Sequence, residues 1–147
     1  MSQIRIRVSG LLVRKNKLLM VEHQKDAKSY YLLPGGGLDA HESIPEALRR
    51  EFMEELGMQV EVGPLLLMAQ SLAPDRSRNI LHLVHRVESS EEPTDTGNDF
   101  RVHDFYWYCL KRTPRIIFYP DILAQLIELA QNSAYNGINV QIPEWLD

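Results

Sequence analysis

The sequence predicts an α+β domain in which a mixed β-sheet lies between helices. Short runs of apolar residues that are typical of strands lie before, between and after two segments with helical periodicity. One helix is predicted from about Pro45 to Leu56, and a second from Asp121 to Asn132. Because helices bury their apolar stripes on sheet faces, this order indicates a layered architecture. The 147 residues are enough for one domain, predicted over residues 1–147, with a sizeable core.

The strands are predicted from alternating apolar residues between turn residues. Residues 4–14 and 17–23 are predicted to form a hairpin with Lys15 and Asn16 at its turn. Gly10 lies inside the first strand, where glycine often marks the close approach of another group. Further strands are predicted at 30–33, 59–62, 65–72, 80–87 and 102–110, divided mainly by glycine and proline. The tail 138–146 is expected to pack on its own domain or on a second subunit.

The first helix has well-defined ends in the sequence. Ser43 and Glu46 have the spacing of a capping box, and Pro45 suits a first turn because its missing N–H is not needed there. Gly57 suits the left-handed position that follows the end of a helix. A helix is therefore expected to begin at about Pro45 and to end before Gly57.

Three carboxylates lie on one side of this helix. At about 100° per residue, Glu51, Glu54 and Glu55 fall within roughly one third of its circumference. The neighbouring apolar stripe is formed by Leu48, Phe52 and Leu56. Like charges this close repel each other unless a cation lies among them, and carboxylate oxygens favour Mg²⁺ or Mn²⁺. Taken alone, three glutamates more often form a solvated face, here paired with Arg49 and Arg50.

The complete spacing favours the metal site. The segment Gly36–Met58 reads GGLDAHESIPEALRREFMEELGM, with Glu42 after five residues and Arg50 after seven more. It resembles the Nudix box at every fixed position. Seven fixed letters at about 6% each match by chance on the order of 10⁻⁹ per start point. Two neighbouring positions depart from the common pattern: Tyr31 stands where tryptophan is common, and His41 where glycine often precedes the first glutamate of the box.

The resemblance implies a fold, a reaction and a set of roles. The Nudix fold is an α/β/α sandwich with a central mixed sheet. By this resemblance, Glu51, Glu54 and Glu55 bind Mg²⁺, with Mn²⁺ as an alternative, together with the carbonyl oxygen of Gly35. One of the three also activates water, and which one stays open. We expect Arg50 to orient a glutamate through a charge-assisted hydrogen bond, and Glu42 to act indirectly, outside the metal ligands.

The glycines before the helix are the second informative feature. Without side chains, glycines let backbone N–H and C=O groups face phosphate and metal. Gly36 and Gly37 are therefore predicted to bind substrate. Lys28, in a polar loop, is a further candidate for contact with a substrate phosphate, although a solvated lysine is the more common situation.

Several other polar residues are candidate contributors to the site. Glu91 and Glu92 lie in the acidic segment 88–99, which is either a flexible loop or the source of an additional catalytic carboxylate. His82 and His85 are three residues apart in a predicted strand, which places them on opposite faces and excludes a shared metal ion.

The composition and charge of the chain limit the cellular location and the partners that can be expected for it. The net charge of −4 argues against sequence-blind binding of nucleic acid and against an anionic membrane. No apolar run approaches the roughly 18 residues of a membrane span, and no targeting segment is apparent. The single cysteine, Cys109, excludes an internal disulfide, so a cytoplasmic location is expected. The expected partner is a small nucleotide substrate, and a homodimer is left open.

The resemblance implies cleavage of a nucleoside diphosphate derivative. Pro74, sixteen residues after Met58, has a spacing that is similar to that of ADP-ribose pyrophosphatases, which favours ADP-ribose or a nucleotide sugar. Nucleoside triphosphates are the first alternative, and dinucleoside polyphosphates and the 5′ end of RNA stay open. Two non-enzymatic alternatives are a nucleotide-binding Nudix module, which is expected to lose glutamates from the box, and an interaction domain with an acidic surface helix.

Overall fold

Two β-sheets and two helices form the framework of the fold. The computed structural model describes residues 3–95, 102–112, 115–132 and 138–146. The strands in these ranges are β1 (Ile4–Leu11), β2 (Val13–Arg14), β3 (Lys17–Lys25), β4 (Lys28–Leu32), β5 (Gly35–Gly37), β6 (Glu61–Leu72), β7 (Asn79–Glu88), β8 (Val102–Cys109) and β9 (Asn139–Gln141). The helices are α1 (Ile44–Leu56) and α2 (Leu123–Gln131).

The central sheet is mixed, as predicted. Its strand order is β5-β1-β7-β6-β9, with β1 parallel to β7, β9 parallel to β6, and the other pairs antiparallel. Its two faces are buried in different hydrophobic clusters, since Val84 belongs to the cluster that includes Leu126 of α2 and Val87 to the cluster that includes Phe52 of α1. Residues 84 and 87 of one strand face opposite ways, so the helices cover opposite faces. The predicted α/β/α arrangement is confirmed.

A second, antiparallel sheet was not distinguished in the sequence. It contains β2, β3, β4 and β8, with β3 paired to the other three strands. The predicted hairpin turn is present, since Lys15 and Asn16 have φ angles of 49° and 63°. However, the predicted strand 4–14 divides at Leu12, and only its second part pairs with β3. The first part, β1, belongs to the mixed sheet because it pairs with β5 and β7.

One predicted strand break is an irregularity inside a longer strand. Gly63 and Pro64 lie within β6, where the register with β7 shifts between Val62 and Leu65. The carbonyl oxygen of Gly63 accepts a hydrogen bond from Nδ1 of His85 at 2.9 Å. A bulge of this kind accommodates residues that cannot take part in regular pairing.

Helix α1 is fixed at both ends and along one face. Oγ of Ser43 accepts from the backbone N–H of Glu46, and the Glu46 side chain accepts from the backbone N–H of Ser43, each at 3.3 Å. Gly57 follows with φ of 62° and donates to the carbonyl of Met53. The apolar stripe predicted from the sequence (Leu48, Phe52 and Leu56) is fully buried. The ring of Phe52 lies directly against Gly10, which explains the glycine in that strand.

The C-terminal part packs on its own domain, one of the two expected alternatives. Strand β9 extends the mixed sheet beside β6. The indole ring of Trp145 meets the ring of Tyr119 edge-on, with ring centroids 6.4 Å apart, and Arg78 lies 4.8 Å from the Trp145 centroid. Within the described ranges, neither helix combines the length and hydrophobicity that a membrane span requires.

The two strand histidines lie in different surroundings, as their spacing predicted. His82 is 1% exposed, and its Nε2 lies 3.1 Å from Oγ of Ser71. Burial, assisted by the positive charge of Arg7, lowers the pKa of His82 to about 3. His85 is instead bonded to the backbone of β6. His82 therefore stays neutral in the folded protein at any pH near neutrality.

We expect the free energy of unfolding to fall as the pH decreases below about 6.5. The unfolded chain protonates His82 near that pH. The folded chain does so only near pH 3. The contribution of neutral His82 to the free energy of unfolding is therefore fully present above pH 6.5 and decreases from there towards pH 3. At pH 5 the loss from this residue is about 2 kcal/mol. Denaturant unfolding at pH 7.5 and pH 5 measures it. His82→Gln should flatten this dependence, and an unchanged slope would contradict the assignment.

Candidate active site

The three glutamates of α1 occupy two different environments. Glu51 and Glu55 are only 4% and 3% exposed. The side chain of Glu54, at the rim, is 48% exposed. Burial of two ionisable side chains on one helix is costly unless other groups compensate their charge. The site is therefore a place where negative charge is concentrated below the protein surface.

The glycine segment lies directly over the buried carboxylates. The backbone N–H of Gly35 donates to Oε1 of Glu55 at 3.0 Å. Gly35 has φ of 154°, and a Cβ there would collide with the carbonyl oxygen of Val8, so only glycine fits. A Cβ on Gly36 would collide with the carboxylate of Glu51, whereas a Cβ on Gly37 would meet no atom of the described residues within 4 Å. Two of the three glycines are thus required by close contacts.

Arg50 connects the outer and the buried carboxylates. Its Nε and Nη2 donate to the two oxygens of Glu42 at 3.1 and 2.7 Å, and Nη2 also donates to the carbonyl of Gly37 at 3.1 Å. Its Nη1 donates to Glu51 at 2.9 Å and to Glu54 at 3.3 Å. The hydrogen bond to Glu42 is the largest cause that raises the pKa of Arg50, and the hydrogen bond to Glu51 and the negative charge of Glu51 raise it further. The same Arg50–Glu42 bond lowers the pKa of the Glu42 carboxyl. Arg50 is therefore the counter-charge of this cluster.

The carboxylate oxygens of α1 are of the kind that a hard divalent cation prefers, but they do not form a complete set of ligands in this arrangement. Oε2 of Glu51 is buried and has no hydrogen-bond partner among the described residues. An anionic oxygen in that state is suited to a metal ion. No three His, Cys, Asp or Glu side chains in the described ranges are grouped closely enough to hold one. The predicted roles of Glu51, Glu54, Glu55 and the Gly35 carbonyl in metal binding stay predictions.

Comparison with known proteins identifies the family. Residues 3–126 match the family model of the NUDIX domain. The chain belongs to the Nudix family. It is similar to an ADP-ribose pyrophosphatase from Methanocaldococcus jannaschii, with 26% identity over 114 residues, covering 77% of this chain and 66% of that one. It is also similar to phosphatase NudJ from Escherichia coli K12, with 32% identity over 72 residues, covering 49% of this chain and 47% of that one. The chain thus spans less than two thirds of the length of either relative.

A solved structure supports the same fold. The MutT NUDIX hydrolase from Burkholderia pseudomallei superimposes with a TM-score of 0.73 at 24% identity, covering 86% of this chain and 98% of that one. At this identity the likeness concerns the fold alone. The Nudix fold that the box predicted is therefore confirmed over most of the chain.

Two carboxylates of the acidic segment, those of Glu91 and Glu92, accept hydrogen bonds from residues outside the Nudix box. Oε2 of Glu91 accepts from the backbone N–H of Gln59 at 2.7 Å, and Oε1 of Glu92 accepts from Arg14 at 2.9 Å. The backbone N–H of Thr94 donates to the carbonyl of Leu56, the last residue of α1. The described part of this segment is therefore anchored at the C-terminal end of α1. Residues 96–101, which include the rest of the predicted loop, lie outside the described residues.

Two basic residues differ in their relation to the glycine segment. Lys28 is exposed and begins β4, where it pairs with Lys25 in the hairpin with β3. Its contact with substrate stays a prediction. Arg7, which the sequence analysis did not single out, is half-buried and lies opposite Gly37 in the register of β1 and β5. Its Nη2 donates to the carbonyl of Leu33 at 2.9 Å. The available signal was its place in the first strand, but the pairing of that strand was not predicted.

Adjacent glycines allow a matched test of the contact between loop and helix. We expect Gly36→Ala to lower catalytic activity by at least about 10-fold because the new methyl group must displace the Glu51 carboxylate. The free energy of unfolding should change much less, since a carboxylate at the end of a side chain can move. Gly37→Ala is the control and should lower activity much less, because its methyl group displaces no carboxylate. Equal effects of the two substitutions would contradict this geometry.

Proposed function

We propose that the protein is a Mg²⁺-dependent hydrolase that cleaves the diphosphate linkage of a nucleoside diphosphate derivative, with ADP-ribose or a nucleotide sugar as substrate. The observation that carries the proposal is the burial of Glu51 and Glu55 directly beneath the glycine segment. Buried carboxylates beside the backbone of glycines form a site that suits a cation and an anionic substrate together. All glutamates of the box are present, which favours an enzyme over a module that only binds nucleotides.

The chemistry requires little covalent participation by the protein. Attack of water on one phosphorus breaks the bond between that phosphorus and the bridging oxygen, so ADP-ribose gives AMP and ribose 5-phosphate. A bound divalent cation, which Glu51, Glu54, Glu55 and the carbonyl of Gly35 would hold, neutralises phosphate charge and makes water more acidic. One of the three glutamates takes the proton of the attacking water.

Other groups of the chain bind and orient. Gly37 is exposed, so its backbone, together with that of the adjacent Gly36, is proposed to contact a phosphate group, and Arg7 adds positive charge on the strand beside Gly37. In the metal-free protein Arg50 keeps Glu51 in position from the outer side, and Glu42 holds Arg50 through both of its oxygens. These contacts support a rigid site, as positioning catalysis requires.

The preference for ADP-ribose rests on similarity more than on geometry. The M. jannaschii relative is an ADP-ribose pyrophosphatase by name. Pro74, whose spacing pointed the same way, lies in the turn between β6 and β7, where Ala73 and Arg78 are joined by a 2.9 Å backbone hydrogen bond. Proline is common in such turns for conformational reasons. Nucleoside triphosphates are the alternative substrates. We also propose a cytoplasmic location, which the single free cysteine, Cys109, supports.

A substrate panel tests the proposal. ADP-ribose, a UDP-sugar, a nucleoside triphosphate and a dinucleoside polyphosphate are each incubated with the protein and Mg²⁺, and the products are separated by chromatography. Release of AMP from ADP-ribose, or of UMP from the UDP-sugar, that stops when the metal is chelated is the expected result. Pyrophosphate from the triphosphate would overturn the substrate assignment. Binding of these compounds without any product would overturn the enzymatic assignment.

A further inference from the structure

We propose that Arg50 is an exchangeable counter-ion, which holds Glu51 and Glu54 in the metal-free protein and gives up both to a divalent cation. This inference rests on the proposed function in one respect, namely that these carboxylates bind metal. It goes further by assigning to Arg50 a competition with the metal, in addition to orienting a glutamate.

The contacts of Arg50 fall into an anchor and a releasable part. The anchor is made by Nε and Nη2, which hold both oxygens of Glu42 and the carbonyl of Gly37. The releasable part is made by Nη1 alone, which donates to Glu51 and Glu54. A bidentate pair between guanidinium and carboxylate is stronger and more rigid than single hydrogen bonds. Nη1 can therefore lose its two acceptors while the guanidinium stays on Glu42.

The buried carboxylate explains why a counter-ion is needed. Glu51 is 4% exposed, and its Oε1 receives the 2.9 Å bond from Arg50. Glu55, also buried, lies on the same side of α1. Charges placed together at low exposure raise the free energy of the folded state unless an opposite charge is close. Arg50 supplies that charge in the absence of metal, so the protein can fold before it binds a cation.

Sharing of the same carboxylates makes the two cations competitors. Oε1 of Glu51 and Oε2 of Glu54 are the acceptors of Nη1 and belong to two of the predicted metal ligands. A cation that takes these oxygens must displace Nη1, and a cation on Oε2 of Glu51, which accepts no hydrogen bond from the described residues, shares that carboxylate with Nη1, so the two positive charges repel each other. The apparent affinity for metal is therefore reduced by the competing contact. If Arg50 only oriented the glutamates, its removal would weaken metal binding. Competition predicts the opposite, namely that removal of Arg50 strengthens metal binding.

The experiment compares Arg50→Met with Arg49→Met. Both substitutions remove one positive charge from α1 and keep an unbranched side chain, but Arg49 is exposed and faces the pocket beside Met53 and Gln59. Thermal unfolding is recorded without metal and with increasing Mg²⁺, and the Kd for Mn²⁺ is measured by electron paramagnetic resonance. We expect Arg50→Met to have a lower Tm without metal, a larger rise in Tm with Mg²⁺, and a Kd for Mn²⁺ lower by about 3- to 10-fold. Arg49→Met should resemble wild type in all three.

The outcomes separate this inference from the proposed function. If wild type binds Mn²⁺ and Arg50→Met binds it equally well or more weakly, the exchange is wrong while the metal site stands. If wild type binds no metal at all, the proposed function fails and the exchange fails with it. Should Arg50→Met be unfolded without metal, refolding on addition of Mg²⁺ would support the exchange. Failure to refold at Mg²⁺ concentrations that stabilise wild type would overturn it.

Discussion

Glu54→Gln is expected to lower Mg²⁺-dependent turnover by at least about 100-fold while the protein stays folded. Glutamine keeps the shape of the side chain but replaces an anionic ligand with a neutral one. The cost to stability should be small because the side chain is 48% exposed and its ion pair with Arg50 spans 3.3 Å at the surface. Steady-state kinetics at saturating substrate, together with thermal unfolding, measures both effects.

A matched control separates this effect from a change in net charge. Glu128 is an exposed glutamate on the second helix, so Glu128→Gln removes the same charge away from the box. It should leave turnover and Tm close to wild type. Normal turnover of Glu54→Gln with Mg²⁺ would show that Glu54 is not a ligand that the reaction needs.

Gly10→Ala is expected to have the largest effect on stability, with a loss of about 2–3 kcal/mol in the free energy of unfolding. A Cβ at this position lies 2.6 Å from Cε2 of Phe52 and 2.9 Å from Cγ2 of Val87. Phe52 and Val87 are 0% and 1% exposed, so neither can turn into solvent to make room. Backbone or helix α1 must move instead. Urea unfolding measures the loss.

The same substitution tests how α1 is held. Movement of α1 also moves the carboxylates, so we expect Gly10→Ala to lose activity at temperatures where it is still folded. Gly37→Ala, which introduces a methyl group into open space, serves again as the control and should change stability by less than about 0.5 kcal/mol. A Gly10→Ala protein as stable as wild type would contradict the close packing of Phe52 on β1.

Features encoded by neighbouring residues were predicted closely. The ends of α1 follow from Ser43, Glu46 and Gly57, and the observed helix begins one residue before the predicted start. The second helix was predicted two residues early, because Ile122 acts as its N-terminal cap without a side-chain hydrogen bond. Where a cap motif exists, local chemistry determines the boundary.

Pairing between distant strands was not predictable in the same way. The strand pattern of residues 4–14 is continuous in sequence, yet the chain passes from one sheet to the other at Leu12. Alternation of apolar residues describes which face is buried but does not select a partner strand. The same limit applies to Arg7, whose place beside Gly37 depends on pairing of β1 with β5.

The position of the three glutamates on α1 was predicted from the sequence, but the depth at which two of them are buried was not. The spacing of the box placed Glu51, Glu54 and Glu55 on one side of α1, which the structure shows. The burial of Glu51 and Glu55 beneath Gly35 and Gly36 depends on how the loop returns over the helix. Helical periodicity contains no information about that return.

The most direct measurement is a crystal structure with Mn²⁺ and a non-hydrolysable analogue of ADP-ribose, using anomalous scattering to locate the metal. The account predicts anomalous peaks within coordination distance of the Glu51, Glu54 and Glu55 carboxylates and the carbonyl oxygen of Gly35. The diphosphate of the analogue should contact the same ions. Bound analogue with no manganese at these carboxylates, or manganese bound elsewhere in the chain, would contradict the account.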